Sequence, residues 1–188
     1  MASRSSVLLR ALVVALLFVA GPAQAAVFMS RTEALAWAFP EADHVDEQRF
    51  VLNEEQVGAI EQRAQSKLES RIVTLYVGRK GDQVLGYAVI DQHNVRTLPE
   101  AFLVVLSPEG EVQRLRVLAF HEPPEYKPSD RFLAQFEGKQ GGTPLRLQRE
   151  VHGIAGATLS SQAVTGGVRR VLAYHEVLIR RPLLAQHR

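Results

Sequence analysis

The sequence predicts an α+β domain, in which a small antiparallel sheet built from hairpins packs with helices, and a last helix follows a motif of small residues. Two pairs of β-branched, alternating stretches, each pair joined by a polar turn, are typical of hairpins. Other stretches carry apolar residues at every third or fourth position, which is a helical period. Of the 188 residues, 46% are hydrophobic and 22% charged, so the chain has the composition of an ordinary globular core.

The first residues have the marks of an export signal. Arg4 and Arg10 flank the start of an apolar run over 11–20, and small residues follow at 23–26. The whole stretch 11–26 is broken by Gly21 and Pro22, and it is shorter than the roughly 20 apolar residues that span a bilayer. We therefore expect residues 1–25 to be a signal peptide, with an uncleaved anchor as the alternative. The protein is expected to be exported, either periplasmic or on the outer face of the cytoplasmic membrane.

The charge balance removes the argument for one class of partner. The chain has 22 Lys and Arg against 20 Asp and Glu, a formal net charge of +2. Two of the basic residues lie in 1–25, which holds no acid, so the rest of the chain has 20 of each sign. The composition therefore gives no reason to expect nucleic acid as a partner. There is also no cysteine, which excludes disulfides, a thiol nucleophile and thiolate metal sites.

Residues 26–69 are expected to form an N-terminal helical segment, ahead of a main domain over 70–188. A short helix is predicted over 31–39, ending at a proline. Asn53 is a favourable N-cap for a second helix, whose apolar residues recur at helical spacing.

The main domain is predicted to contain two hairpins and a loop. Strands are expected at 72–77 and 83–90, and again at 102–106 and 112–120. The segment 121–129 holds three prolines and is predicted to be a loop, the kind of element that often carries function. A short helix over 131–136 and a short strand near 145–147 are expected to follow.

The last helix is predicted over 161–179. Its apolar stripe includes Val164, Val168 and Val171, whereas Arg169 and Arg170 are expected on the exposed face.

Small residues gather immediately before this helix, in the stretch Gly153-Ile154-Ala155-Gly156-Ala157-Thr158-Leu159-Ser160-Ser161. Gly and Ala let a backbone approach a ligand closely. Ser160 or Ser161 can cap the helix, and the free N–H groups at a helix start attract an anion, especially a phosphate. Two interpretations remain open from the residues alone: an anion site beside an exposed Thr158 hydroxyl, or an ordinary tight turn with an N-cap.

The stretch 156–161, followed by a helix, resembles the flavin-attachment motif of FMN-binding domains in the Rnf complex and the Na⁺-translocating NADH:quinone reductase. The similarity extends upstream to Gly86-Tyr87, to the turn at 108–110 and to 132–138, and covers roughly residues 70–178. His152 stands where the family usually has Asp.

The resemblance implies that FMN is held by a phosphoester to Thr158, as phosphothreonyl-FMN, and that a flavin transferase installs it. The other cofactor-binding residues implied or suggested are Gly156, Ala157, Leu159, Ser160, Ser161, Glu122 and Tyr126. Glu122 and Tyr126 lie in the proline-rich loop and are candidates for contacts to the flavin ring. Tyr126 could equally anchor the loop.

These features predict an exported electron-transfer domain that relays electrons to or from a membrane oxidoreductase. It is expected to be a carrier or a subunit, more than a stand-alone enzyme, with no catalytic residue and no metal of its own. The alternative is a flavin-free binding module of the same fold. A serine hydrolase is disfavoured because no G-x-S-x-G elbow is present. The segment His121-Glu122-Pro123-Pro124-Glu125 lacks the second His of a zinc helix, and its prolines forbid that helix.

Overall fold

In a computed structural model, which describes residues 26–95 and 97–186, six strands form one antiparallel sheet. They are β1 (Ala26–Val27), β2 (His44–Val51), β3 (Ile72–Lys80), β4 (Gln83–Asn94), β5 (Pro99–Leu106) and β6 (Val112–Phe120). The order across the sheet is β1-β6-β5-β4-β3-β2, so β2 to β6 form a meander and the short β1 adds to its far edge. The α+β prediction is confirmed.

The helices in the described part of the chain are α1 (Arg31–Ala38), α2 (Glu54–Ala64), α3 (Asp130–Leu133), α4 (Thr158–His175) and α5 (Arg181–Gln186). Single 3₁₀ turns form at Pro124–Tyr126 and Ala134–Phe136, and a π-helical turn at Glu176–Arg180 joins α4 to α5. Asn53 caps α2 as predicted, in a capping box with Gln56. None of these helices is both long and apolar enough to cross a membrane.

One face of the sheet is covered by α1. Ala34 and Ala38 of this helix, with Phe39 directly after it, pack against Tyr76 and Leu103 of the strands. No side chain separates the ring of Phe39 from β3, since a Cβ at Gly78 would lie 2.4 Å from that ring. The ring therefore rests directly on the backbone of the sheet.

The opposite face carries the larger core, beneath α2 and α4. Ile60 of α2 and Val164 and Val168 of α4 are fully buried there, against Phe102 and Val104 of β5. This packing lays α4 along the middle strands, with Thr158 at one end of the helix.

The segment 26–69 was predicted to be helical, and this prediction is wrong in part. Besides α1 and α2, the segment contains the strands β1 and β2. Strand β2 pairs with β3 along its whole length, from His44 opposite Arg79 to Val51 opposite Ile72. Its sequence, HVDEQRFV, is rich in charge because it forms an edge of the sheet, where charged side chains are common. The alternation of apolar and polar residues that is typical of a half-buried strand is therefore absent from this segment.

Two predictions further along the chain are corrected. No strand forms near 145–147, where only a single parallel bridge joins Leu147 to Val151. The last helix begins at Thr158, three residues before its predicted start. Both predicted hairpins are present, although β4 continues to Asn94. The predicted signal peptide, residues 1–25, lies outside the described residues.

Candidate cofactor site

Thr158 is the first residue of α4, and its side chain is exposed. The N-cap is Ala157, which offers no side-chain hydrogen bond. The N–H groups of Thr158, Leu159 and Ser160 form no hydrogen bond with any described residue, and the first one engaged is that of Ser161, to Ala157 O at 3.1 Å. Such unpaired donors, together with the helix dipole, attract an anion to this end of α4.

The turn before α4 leaves open space beside the helix start. Gly156 has a φ of +78°, in the left-handed region that favours glycine, and a Cβ there would meet nothing within 4 Å. The turn closes through a hydrogen bond from Ala157 N–H to Ile154 O at 3.1 Å. The backbone at Gly156 is therefore accessible to a ligand approaching Thr158.

Ser161 fixes this turn from inside the protein. Its buried Oγ accepts the N–H of Ile154 at 2.9 Å and donates to Ala157 O at 3.0 Å. The prediction that Ser160 or Ser161 caps the helix is wrong, because the helix starts upstream of both and both are buried. Instead, Ser161 connects the small-residue turn at Ile154 and Ala157 to the first turn of α4.

A second clamp holds the residues before the turn. The side-chain amide of Gln135 donates to His152 O at 3.0 Å and accepts the His152 N–H at 2.8 Å. The imidazole of His152 is exposed. The backbone at position 152 is therefore fixed by Gln135, whichever side chain it carries.

A cavity of about 260 Å³ opens at the start of α4. Its walls are formed by Val95, Glu122, Tyr126, Gly156, Ala157, Thr158, Leu159 and Ser160. The structure thus brings together every predicted cofactor-binding residue except Ser161, which is buried and does not line the cavity. Val95 was not predicted, and a lone valine after a strand gives no signal in the sequence.

The wall opposite α4 comes from the proline-rich loop. Glu122 Oε1 accepts the N–H groups of Thr97 at 3.0 Å and Leu98 at 3.1 Å, which anchors the loop to the β4–β5 connection. Tyr126 ends a 3₁₀ turn, and its half-buried ring packs against the larger core. Tyr126 therefore anchors the loop to the core, and its ring also forms part of the cavity wall.

Residues 99–173 match the sequence profile of the FMN-binding domain family. These residues form an FMN-binding domain. The matched region runs from the first residue of β5 into α4, and it contains the proline-rich loop and the small-residue turn. No curated protein sequence matches the chain. The cofactor of the FMN-binding domain is FMN.

The residues at the start of α4 fit this cofactor. The unpaired N–H groups suit its phosphate, and the exposed hydroxyl of Thr158 lies at the same helix end. A cavity of about 260 Å³ is just below the roughly 300–1,000 Å³ of ordinary ligand pockets. We therefore expect the FMN-binding domain to enclose part of the FMN and to leave the rest at the surface.

A buried charged network lies under α4, and the sequence did not predict it. Arg170 donates to both carboxylate oxygens of Asp91, at 3.0 and 2.8 Å, and His93 Nδ1 donates to Asp91 Oδ2 at 2.8 Å. His93 Nε2 is 3.3 Å from Glu100 Oε2, and Glu100 is fully buried. Arg170 was expected on the exposed face of the helix. This prediction is wrong, because only 18% of its side chain is exposed. The signal that could have revealed this network is the charge at alternate positions of β4, on the face that packs under α4.

The network shifts the pKa values of its members. Burial by itself would raise the pKa of Asp91, but the hydrogen bond from His93 and the charge of Arg170 outweigh burial and lower it. Burial would lower the pKa of His93, yet its interactions with the carboxylates of Asp91 and Glu100 raise it to about 9. His93 is therefore a cation at neutral pH. In the described part of the chain, no cluster of His, Asp and Glu is arranged to hold a metal ion.

Proposed function

We propose that this protein is an exported electron-transfer domain that carries FMN covalently on Thr158. The observation that carries the proposal is the position of Thr158, an exposed hydroxyl on the first turn of an uncapped helix, within a domain whose cofactor is FMN. The FMN phosphate in a phosphodiester keeps one negative charge, which the free N–H groups of α4 would stabilise.

The linkage would be made by a flavin transferase with FAD as the donor. The Oγ of Thr158 attacks the flavin-side phosphorus of FAD, a new O–P bond forms, and the bond to AMP breaks. The hydroxyl proton passes to the transferase or to solvent, and AMP leaves. The exposed side chain of Thr158 supports access by a second protein to this atom.

The bound isoalloxazine ring supplies the redox chemistry, since it can take up and release one or two electrons. The chain would supply orientation and charge: the N–H groups at the start of α4 would hold the phosphate, and Glu122 and Tyr126 line the cavity that would take part of the flavin. Because a cavity of about 260 Å³ would enclose only part of the FMN, the remainder would be open to a redox partner. A membrane oxidoreductase is the partner that the resemblance to Rnf and the Na⁺-translocating NADH:quinone reductase suggests.

The test is the mass of the exported protein after co-expression with a flavin transferase. We expect a yellow protein whose mass exceeds that of the polypeptide by one FMN less one water. Thr158→Ala should lose the adduct and keep its fold, judged by circular dichroism. An unmodified wild-type chain beside an active transferase would overturn the proposal.

Thr97→Ala is the matched control, because Thr97 is an exposed threonine whose N–H donates to Glu122, a residue of the cavity wall. This variant should keep the full adduct. Loss of the adduct in Thr97→Ala and its retention in Thr158→Ala would move the attachment point to position 97.

The flavin-free binding module is the second candidate, and His152 is the residue that favours it, because the family usually has Asp there. Gln135 fixes the backbone at this position through main-chain hydrogen bonds alone. The turn geometry is therefore independent of the side chain, and we expect His152→Asp to change the rate of flavin attachment without changing its site. A wild-type chain that stays unmodified while His152→Asp is modified would favour the flavin-free module for the natural sequence.

A further inference from the structure

A second, basic cavity lies between the end of α2 and the middle of α4. Its volume is about 240 Å³, and it shares no lining residue with the cavity at Thr158. Arg169, one of its lining residues, lies about 16 Å further along α4 than Thr158, at 1.5 Å of rise per residue. The cavity is smaller than the roughly 300–1,000 Å³ of ordinary ligand pockets, so it suits a small ligand.

Two cations of this cavity have no carboxylate partner. Arg180 and Glu176 both line the cavity, and they neutralise each other in an ion pair at 2.9 Å. Arg63 and Arg169 also line it, and neither forms an ion pair with an acid in the described part of the chain. The C-terminal end of α2, which carries Arg63, supplies a partial negative charge of only about one half. An excess of more than one positive charge therefore remains, which favours an anion.

The hydrogen bonds of these two arginines go to uncharged groups. Arg63 Nη1 donates to Ala59 O at 2.9 Å, within its own helix. Arg169 Nη1 donates to Gln65 Oε1 at 3.2 Å and lies 3.5 Å from Leu145 O. Since a guanidinium group has five N–H donors, most of the donors of both side chains are left for another acceptor.

Arg169 in particular lacks acceptors. Its Nη2 bonds to no described residue, and its Nε is buried without an acceptor among them. A buried donor without an acceptor is rare in native proteins, and a bound ion or water is one explanation for it. Burial and the charge of the neighbouring Arg170 lower the pKa of Arg169, so its surroundings disfavour its positive charge. A bound anion would offset this penalty.

A glycine turn supplies further donors on the wall of the cavity. Thr143 N–H donates to Gln140 O at 3.1 Å and closes the turn, in which Gly142 has a φ of +89°. The N–H groups of Gly141 and Gly142 bond to no described residue. Thr143 Oγ1 accepts the Gln140 N–H at 3.4 Å, and its own proton remains available to a ligand. Adjacent free N–H groups in a turn are suited to an anion.

We propose that this cavity binds a phosphate group, held by the guanidinium groups of Arg63 and Arg169 and by the glycine turn. Guanidinium groups match the geometry of phosphate oxygens, and a phosphate accepts more hydrogen bonds than the two oxygens of a carboxylate. Both the free ion and a lipid headgroup offer this chemistry, and the test separates them. The site is distinct from the FMN site and does not depend on whether Thr158 carries the flavin.

The first arm of the test is calorimetry of the exported chain with inorganic phosphate at low ionic strength. We expect a Kd of about 1 mM or tighter, and acetate should bind at least about tenfold more weakly. The second arm is sedimentation with phosphatidylcholine vesicles, with and without phosphatidic acid. Binding of inorganic phosphate identifies the free ion as the ligand, and binding to phosphatidic acid alone identifies the lipid headgroup. Binding in neither arm, or equal binding of phosphate and acetate, would overturn the proposal.

Arginine variants locate the site. Arg63→Gln and Arg169→Gln each remove one guanidinium group and should weaken binding at least about tenfold, the effect of losing a hydrogen bond between charged groups. Arg149→Gln is the matched control, because Arg149 is exposed and does not line the cavity. Phosphate bound at the start of α4 instead would be insensitive to all three changes. Unchanged affinity in both cavity variants, or the same loss in Arg149→Gln, would therefore overturn the proposal.

The fold of the variants is checked by circular dichroism. Arg63→Gln is expected to keep the fold, because the hydrogen bond of Arg63 lies within α2. This variant keeps the test decisive if Arg169→Gln loses stability. The mass of the FMN adduct is read independently, so failure here leaves the proposed function standing.

Discussion

At the scale of single residues, the cofactor site depends on hydroxyl groups with opposite environments. Thr158 is exposed and faces a cavity, whereas Ser161, three residues later, is fully buried. Ser161 makes two hydrogen bonds that connect Ile154 and Ala157 to the helix. The first hydroxyl is therefore available for chemistry, and the second determines where the first one lies.

Ser161→Ala should loosen the turn and slow flavin attachment. It leaves the part-buried N–H of Ile154 without its partner, which costs about 1 kcal/mol. Urea unfolding measures the stability loss, and the time course of the mass change with a flavin transferase measures attachment. Gln162→Ala, at the exposed neighbouring position, is the control and should change neither. Attachment at the wild-type rate in Ser161→Ala would show that the turn does not need this clamp.

The charge on His93 makes stability depend on pH. Its pKa of about 9 in the folded protein is above the ordinary value of 6.5, so its contribution is complete below pH 6.5 and is lost as the pH rises through about 9. The difference between the two pKa values corresponds to a loss on the order of 3 kcal/mol. Burial lowers the pKa of His175, which therefore titrates below this window.

Urea unfolding between pH 6 and 10 measures this loss. His93→Gln should be less stable at neutral pH and should show a flatter profile between pH 6.5 and 9. His44→Gln, at a side chain that is 52% exposed, is the control and should keep the wild-type slope. A wild-type slope in His93→Gln would assign the pH dependence to another group.

At the scale of elements, α4 joins the cofactor site to the core. Its first turn carries Thr158, while its middle packs closely on β4 and β5. At Gly167 a Cβ would lie 2.4 Å from the ring of Phe102 and 2.8 Å from Asp91 Oδ2. The helix can approach the sheet this closely only because position 167 has no side chain.

Gly167→Ala should therefore move α4 or displace Phe102, at a cost of about 1–3 kcal/mol for overpacking. Its neighbour provides a matched control, since a Cβ at Gly166 would meet nothing within 4 Å. Gly166→Ala should be neutral or stabilising by up to about 1 kcal/mol, because alanine is the better helix former. Thermal and urea unfolding of the two variants measure the difference. Equal stabilities would mean that the helix and sheet are not in close contact at this point.

At the scale of the whole molecule, residues 26–69 complete the fold around the FMN-binding domain. They supply β1 and β2 at the two edges of the sheet, and α1 and α2 on its two faces. The start of this segment also reaches the cofactor loop, because Phe28 N–H bonds to Leu118 O and the Lys127 ammonium lies 4.2 Å above the Phe28 ring. Without residues 26–69, the predicted domain 70–188 would lose α1 and α2, which cover the two core clusters.

A fragment of residues 70–188 is therefore expected to lack a cooperative unfolding transition. Without α1 and α2, apolar surface of β3 to β6 and α4 is left in water. Thermal circular dichroism and the fluorescence of a hydrophobic dye measure this, with residues 26–188 as the control. A sharp transition in the fragment would show that 70–188 is an independent domain.

The sequence predicts the roles of some residues correctly and the positions of others wrongly. Asn53 was predicted as an N-cap because capping uses only neighbouring residues. The assignment of Thr158 came from a short motif, and the structure then placed it beside Glu122 and Tyr126. Arg170 was misplaced because its partner, Asp91, lies 79 residues away in the chain.

The sequence by itself determined the α+β class, both hairpins and the small-residue turn before the last helix, because these depend on local periodicity and backbone preference. It also determined that no thiol chemistry is possible. Only the tertiary structure decided that Ser161 braces the turn, that β2 is an edge strand, and that four charged side chains meet under α4. These features arise from contacts between distant segments, which no local pattern of residues encodes.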